Sequence, residues 1–219
     1  MRAAVVEAPG GPEALVLRDL PKPAPRPGWT LVRVRAFGLN RAELMTRRGE
    51  SGDAVRFPRV IGIEAVGTVD ASVDDDAPPP GTTVASVMGG MGRAFDGGYA
   101  EYTLLPTERL MPLETHLDWE VLGALPETFL TARGSLDVMG LEEGQSLLVR
   151  GAGSSVGLAA LGLGAAAGLH VIGLPATPTR PTSCASAGPM TSSSTRAASP
   201  APTSTACSTS SAARPCSTP

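Results

Sequence analysis

The pattern of apolar and polar positions divides the chain into three parts. In the first, short apolar runs are broken by Gly and Pro. Arg2–Glu7 and Leu15–Leu20 read as strands. Thr30–Ala36 alternates, with Leu31, Arg33 and Arg35 on one side and Val32, Val34 and Ala36 on the other. Val60–Val69 reads as one strand, in which Gly62 and Gly67 mark a bend or a close backbone approach. Asp74–Gly81 is an acidic, Pro-rich loop, and Val84–Met88 and Tyr99–Leu105 are further strands. Many short strands with frequent turns predict a β-barrel or sandwich.

The period changes after about Pro112. Leu117–Leu125 and Glu127–Val138 predict helices, and Leu147–Arg150 a short apolar strand. Gly151-Ala-Gly-Ser-Ser-Val-Gly157 follows, then a helix to about Gly168 and a strand over Leu169–Leu174. That order is a β-α-β unit, so the fold class is α/β joined to a β-barrel. No internal repeat is visible.

The third part begins at Pro175. From there to Pro219 there is no Val, Leu, Ile, Phe, Tyr or Trp, and no Asp, Glu or Lys. Such a segment cannot bury enough apolar surface to offset its ordering entropy, which predicts disorder. The shift falls inside a fold unit, whereas linkers normally follow a finished domain. Out-of-frame translation of a GC-rich gene would produce this composition; a Ser/Thr-Pro linker is the alternative.

Charge and cysteine narrow the class. The tail holds three of the 18 basic residues and none of the 21 acidic ones, which leaves Met1–Leu174 with a formal charge of −6. A mildly acidic body argues against a nucleic-acid partner. All three cysteines (Cys184, Cys207 and Cys216) lie in the tail, so the body has neither a disulfide framework nor a thiolate metal site. The N-terminus lacks the apolar run of a signal peptide, and Leu158–Leu174 is short for a membrane span. The expectation is a cytoplasmic protein without a membrane partner.

The glycine turn carries the most chemistry. Free N–H groups at the start of a helix can donate to a pyrophosphate. Gly151 permits the tight turn, and Gly157 lets the helix come close to the sheet. Ser154 and Ser155 stand where many such loops carry Gly, and their hydroxyls add donors. Gly151, Gly153, Ser154, Ser155, Val156 and Gly157 are therefore the candidate cofactor-binding set. An ordinary tight turn in a non-nucleotide α/β unit is the alternative. No Asp or Glu follows Glu143, so none lies about twenty residues beyond the turn to hold a ribose 2′-hydroxyl, which favours NADPH over NADH. Arg180 is the nearest basic residue for a 2′-phosphate.

Four segments together resemble a known family: Asn40-Arg-Ala-Glu-Leu-Met-Thr-Arg-Arg-Gly49, Phe57-Pro-Arg-Val-Ile-Gly-Ile-Glu-Ala-Val-Gly67, Asp96-Gly-Gly-Tyr-Ala-Glu-Tyr102 and Gly151–Gly157. In order and spacing they are similar to the zinc-free quinone oxidoreductases of the medium-chain alcohol dehydrogenase/reductase superfamily, over Met1 to about Gly173. The resemblance implies a GroES-like catalytic domain over 1–125 and the start of a Rossmann NADPH-binding domain, doubly wound but incomplete, over 126–174; 175–219 is the tail. It implies that NADPH lies between the two and reduces a quinone or an activated C=C or C=O group of a small acceptor. It also implies a homodimer for the full-length family.

Residue roles follow from the same resemblance. Asn40 matches the active-site Asn and is the candidate catalytic residue, while its spacing to Glu43 also reads as a helix capping box. Thr131 matches a position that contacts the nicotinamide amide; the alternative is an interior helix Thr bonded to its own backbone. Asn40 and Ile63 stand where zinc-dependent relatives carry Cys and His ligands, so no metal is expected. Met45 stands where many quinone reductases carry Tyr. Glu64 reads as a structural hydrogen-bond partner, Arg47 and Arg48 as a solvated helix face, and His116 and His170 as structural residues. Hydride transfer to an electron-poor acceptor needs little acid help, so orientation and exclusion of water are what the protein supplies. Without further strands under the turn, NADPH binding and activity are expected to be impaired. A non-catalytic isolated barrel ending near Gly134 is the alternative function.

Overall fold

In the computed structural model the antiparallel strands of the first part curl into a barrel. The structure describes residues 1–175. Strands β1 (Arg2–Val6), β2 (Leu15–Asp19) and β4 (Arg59–Val60) form one sheet in the order β2-β1-β4. Strands β3 (Trp29–Ala36), β5 (Glu64–Ala71), β6 (Thr83–Val87), β7 (Tyr102–Pro106) and β8 (Met111–Pro112) form a second, in the order β7-β3-β5-β6-β8. An isolated bridge between Ala3 and Ala100 joins their margins. Val32, Ala65, Val69, Val84, Met91 and Leu105 fill the interior.

The strand expected over Val60–Val69 is two strands, β4 and β5, with a corner between them. Gly62 makes the corner: its φ is 109°, and a Cβ there would lie 2.6 Å from the Tyr99 ring. Gly67 supplies the close approach, because a Cβ there would overlap the backbone of Arg33 on β3. Strand β5 also fails to alternate because both of its faces are covered. Ala65 and Val69 turn into the barrel, while Val66 packs outward with Ala85 and Leu122. Strand β3 alternates only beyond Arg33, since Leu31 and Val32 are both buried and the register with β5 shifts between them. The strand expected from Tyr99 starts at Tyr102.

Four helices accompany the strands. Helix α1 (Arg41–Arg47) is a short turn beside the barrel, and α2 (Trp119–Leu122) is shorter than the nine residues expected. Helix α3 (Pro126–Met139) opens on Pro and stops at Gly140, which takes the left-handed conformation at φ 58°. Then come β9 (Ser146–Arg150), α4 (Ser155–Ala166) and β10 (His170–Leu174). Strands β9 and β10 are parallel, with His170 opposite Ser146, as a β-α-β unit requires. Helix α4 covers one face of this pair and packs against α3. Among the described residues the other face is open, and Leu148, Ile172 and Leu174 are exposed on these strands.

Arg47 corrects the expectation of a solvated helix face. It is buried, and its Nη1 donates to the Gly10 carbonyl at 2.6 Å, so α1 is fastened to the loop after β1. Arg48 alone keeps to the surface. The segment after Leu174, with its expected disorder and its composition shift, lies almost wholly outside the described residues.

Candidate functional site

The glycine turn sits on the C-terminal end of β9, pinned to its neighbour strand. Gly151 and Ala152 both donate their N–H groups to the Leu174 carbonyl, at 2.9 and 3.0 Å. Gly151 has φ 74°, the conformation that lets β9 reverse into α4. Ser154 is the N-cap of α4, and its Oγ accepts from the Gly157 N–H at 3.0 Å. A Cβ on Gly157 would stand 2.8 Å from the Ala152 Cα and overlap the Gly151 carbonyl. So the close approach allowed by Gly157 is to the turn itself.

With these bonds made, the N–H groups of Gly153, Ser155 and Val156 have no acceptor among the described residues. Among the described residues nothing lies within 4 Å of where a Cβ on Gly153 would be, which leaves the backbone there open to a ligand. Three free donors at the positive end of an apolar helix suit a pyrophosphate. Arg180, the candidate for a 2′-phosphate, lies outside the described residues.

The second group of candidate residues gathers around a buried carboxylate. Asn40 and Glu43 form the capping box of α1, with the Asn40 N–H donating to Glu43 Oε2 at 2.8 Å. Glu43 Oε1 accepts from the Ile63 N–H at 2.9 Å, which holds α1 against the corner after β4. Glu64, only 1% exposed, accepts from Asn40 Nδ2 at 2.7 Å and, through its other oxygen, from the Glu127 N–H at 2.9 Å. Burial pushes the Glu64 carboxyl above its ordinary value, and the Asn40 and Glu127 hydrogen bonds pull it back. Burial likewise raises the Tyr99 phenol, which stacks on Phe37.

Thr131 lies one turn further along α3. Its Oγ1 donates to the Glu127 carboxylate at 3.1 Å, not to its own backbone. The structure therefore brings Asn40 and Thr131 into one hydrogen-bonded chain through Glu64 and Glu127. None of the turn residues Gly151–Gly157 shares a hydrogen bond with that chain; the connection runs through the packing of α3 on α4. A cavity of about 570 Å³ opens beside Thr131, walled by Met88, Leu130, Gly134 and Val138.

Met88 is a candidate site residue that sequence reasoning misses. It has φ 58°, a left-handed conformation that is costly for a residue with a Cβ, and it faces this cavity. The run Met88-Gly89-Gly90 is the available signal, since all three take positive φ. Among the described residues no three His, Cys, Asp or Glu side chains converge on a metal position.

A barrel joined through α3 to a β-α-β unit with an open glycine turn is a two-part build, a GroES-like domain followed by the start of a Rossmann-type unit. Residues 26–115 match the alcohol dehydrogenase GroES-like domain. The chain is 32% identical over 156 residues to the synaptic vesicle membrane protein VAT-1 homolog-like of Mus musculus, covering 70% of this chain and 36% of that protein. It is 33% identical over 159 residues to the quinone oxidoreductase of Homo sapiens, covering 69% and 46%. Among solved structures it is similar to the quinone oxidoreductase of Thermus thermophilus, determined also in complex with NADPH, with a TM-score of 0.68 and 33% identity over 81% of this chain and 54% of that one. The matched segment is an alcohol dehydrogenase GroES-like domain, and the chain is similar to quinone oxidoreductases over that domain and the β-α-β unit after it. It spans less than half the length of these two curated relatives. No helix among the described residues is long and apolar enough to cross a membrane.

Proposed function

We propose that this chain carries the catalytic barrel and pyrophosphate turn of an NADPH-dependent reductase acting on a quinone or an activated C=C or C=O group. The observation that carries the reading is the turn, with free N–H groups on Gly153, Ser155 and Val156 and an uncovered face at Gly153. Bound NADPH supplies a hydride. The residues of this chain bind and orient. The turn donates to the pyrophosphate, with Ser154 holding its shape. Thr131, from the wall of the cavity, contacts the nicotinamide amide. Asn40 has one amide hydrogen committed to Glu64 and a second free for the nicotinamide or the acceptor. Met88 and Leu130 give the cavity an apolar wall, which favours a small apolar acceptor. The acceptor draws its proton from solvent.

We further propose that the chain holds NADPH weakly. Among the described residues two parallel strands with one open face stand under the turn, a poor support for donors that must be held in place. An isolated barrel ending near Gly134 is not favoured, because that cut falls inside α3, whose first turn is bonded to Glu64.

Fluorescence titration of NADPH with the full chain and with Gly157→Val tests the reading. Saturable but weak binding that the substitution abolishes is expected, with loss of reduced-nicotinamide absorbance when a quinone is added. Identical titrations for the two chains would remove the turn from the site. A Kd in the low micromolar range would show that the site is not impaired.

A further inference from the structure

We infer that Glu64 is a positioning residue: its buried carboxylate joins the Asn40 amide to the first turn of α3 and so sets the spacing between Asn40 and Thr131. The inference rests on the reading of those two residues as the ones that face the nicotinamide.

Several observations converge on Glu64. Both oxygens are in use and the residue is closed to solvent, so it cannot meet a substrate as a base. Its partners lie on different elements, α1 and α3, while the residue itself starts β5. Helix α3 has no side-chain cap of its own, because Leu125 occupies that position and offers no acceptor. The Glu64 carboxylate takes its place, adding a negative charge at the positive end of the helix. The residue whose N–H it holds, Glu127, is the one whose side chain accepts from the Thr131 hydroxyl. One carboxylate thus reaches Asn40 on one side and, through Glu127, Thr131 on the other.

The surroundings are shaped for this group. A Cβ on Gly38 would overlap Glu64 Oε1 and stand 3.2 Å from the Gly123 carbonyl oxygen, so Gly38 leaves the carboxylate its room. Burying a charge is costly unless donors meet it, and here two do. A side chain needed only for packing would be better served by an apolar residue, which has nothing to desolvate.

Glu64→Gln tests this in the full chain without cofactor. Glutamine keeps the size but has one acceptor oxygen, so one of the two donors loses its partner. Amide exchange of the Glu127 N–H should accelerate by about tenfold, the effect of losing one charge-assisted hydrogen bond. The Asn40 side-chain amide and the Thr131 methyl should shift together in the NMR spectrum, while amides of the β3–β5 ladder keep their exchange rates. Uniform acceleration across the barrel, or a response at only one of Asn40 and Thr131, would overturn the inference. Should Glu64→Gln not fold, Asn40→Ser removes only the amide donor, and an unmoved Thr131 methyl in that variant is equally fatal. Adding NADPH to the unsubstituted chain separates the two readings: no shift at Asn40 and Thr131 would sink the nicotinamide assignment and leave the Glu64 linkage standing.

Discussion

At the residue scale, short polar side chains at element ends carry much of the local order. Ser154 caps the helix that opens on the turn. Ser154→Ala should lower stability by about 1 kcal/mol, measured by urea unfolding, because the Gly157 N–H loses its acceptor. Asp74 is a second case, in the loop after β5. It accepts from Thr107 Oγ1 at 2.6 Å and from the Gly28 N–H at 2.8 Å, and these bonds hold its carboxyl below the usual aspartate range. Its folded pKa thus lies below the unfolded value of about 3.9. Ionised Asp74 therefore favours the folded chain above that pH, and the contribution fades as pH falls through the folded value. In Asp74→Asn the melting temperature should fall less steeply with acid than in the unsubstituted chain. Parallel acid profiles would show that the two hydrogen bonds are not linked to folding.

At the element scale, what is legible in the sequence is whatever a local signal specifies. The turn at Gly151, the helix after it and the parallel return strand all stand where strand, glycine and apolar periods place them. Strand β5 is not legible in this way because two-sided burial erases alternation, and the Gly62 corner, a tertiary feature, breaks what reads as one run. Arg47 misleads because nothing local announces that the Gly10 carbonyl awaits it across 37 residues. Glu64 is legible as a hydrogen-bond partner, but its particular partners come from other elements and are not, and neither is the place of Met88 beside the cavity. The β9–β10 pair carries its own expectation. Leu148 is 56% and Ile172 52% exposed on strands whose other side α4 covers. Apolar surface of this kind promotes association. Replacing both with Ser should reduce concentration-dependent light scattering, and unchanged scattering would place the sticky surface elsewhere.

At the scale of the whole described molecule, β5 belongs to two cores. Ala65 and Val69 help to fill the barrel, and Val66, with no measurable exposure, packs against Ala85 and Leu122 outside it. Glu64, at the head of the same strand, holds the start of α3. A wall common to two compartments cannot be dismantled from one side alone. Calorimetry should accordingly record one cooperative melting event for the barrel and α3, and Val66→Ala, which trims only the outer side, should depress both regions by the same amount, on the order of 1–2 kcal/mol for two lost methyls. If α3 melted ahead of an intact barrel, that shared strand would be a mere boundary.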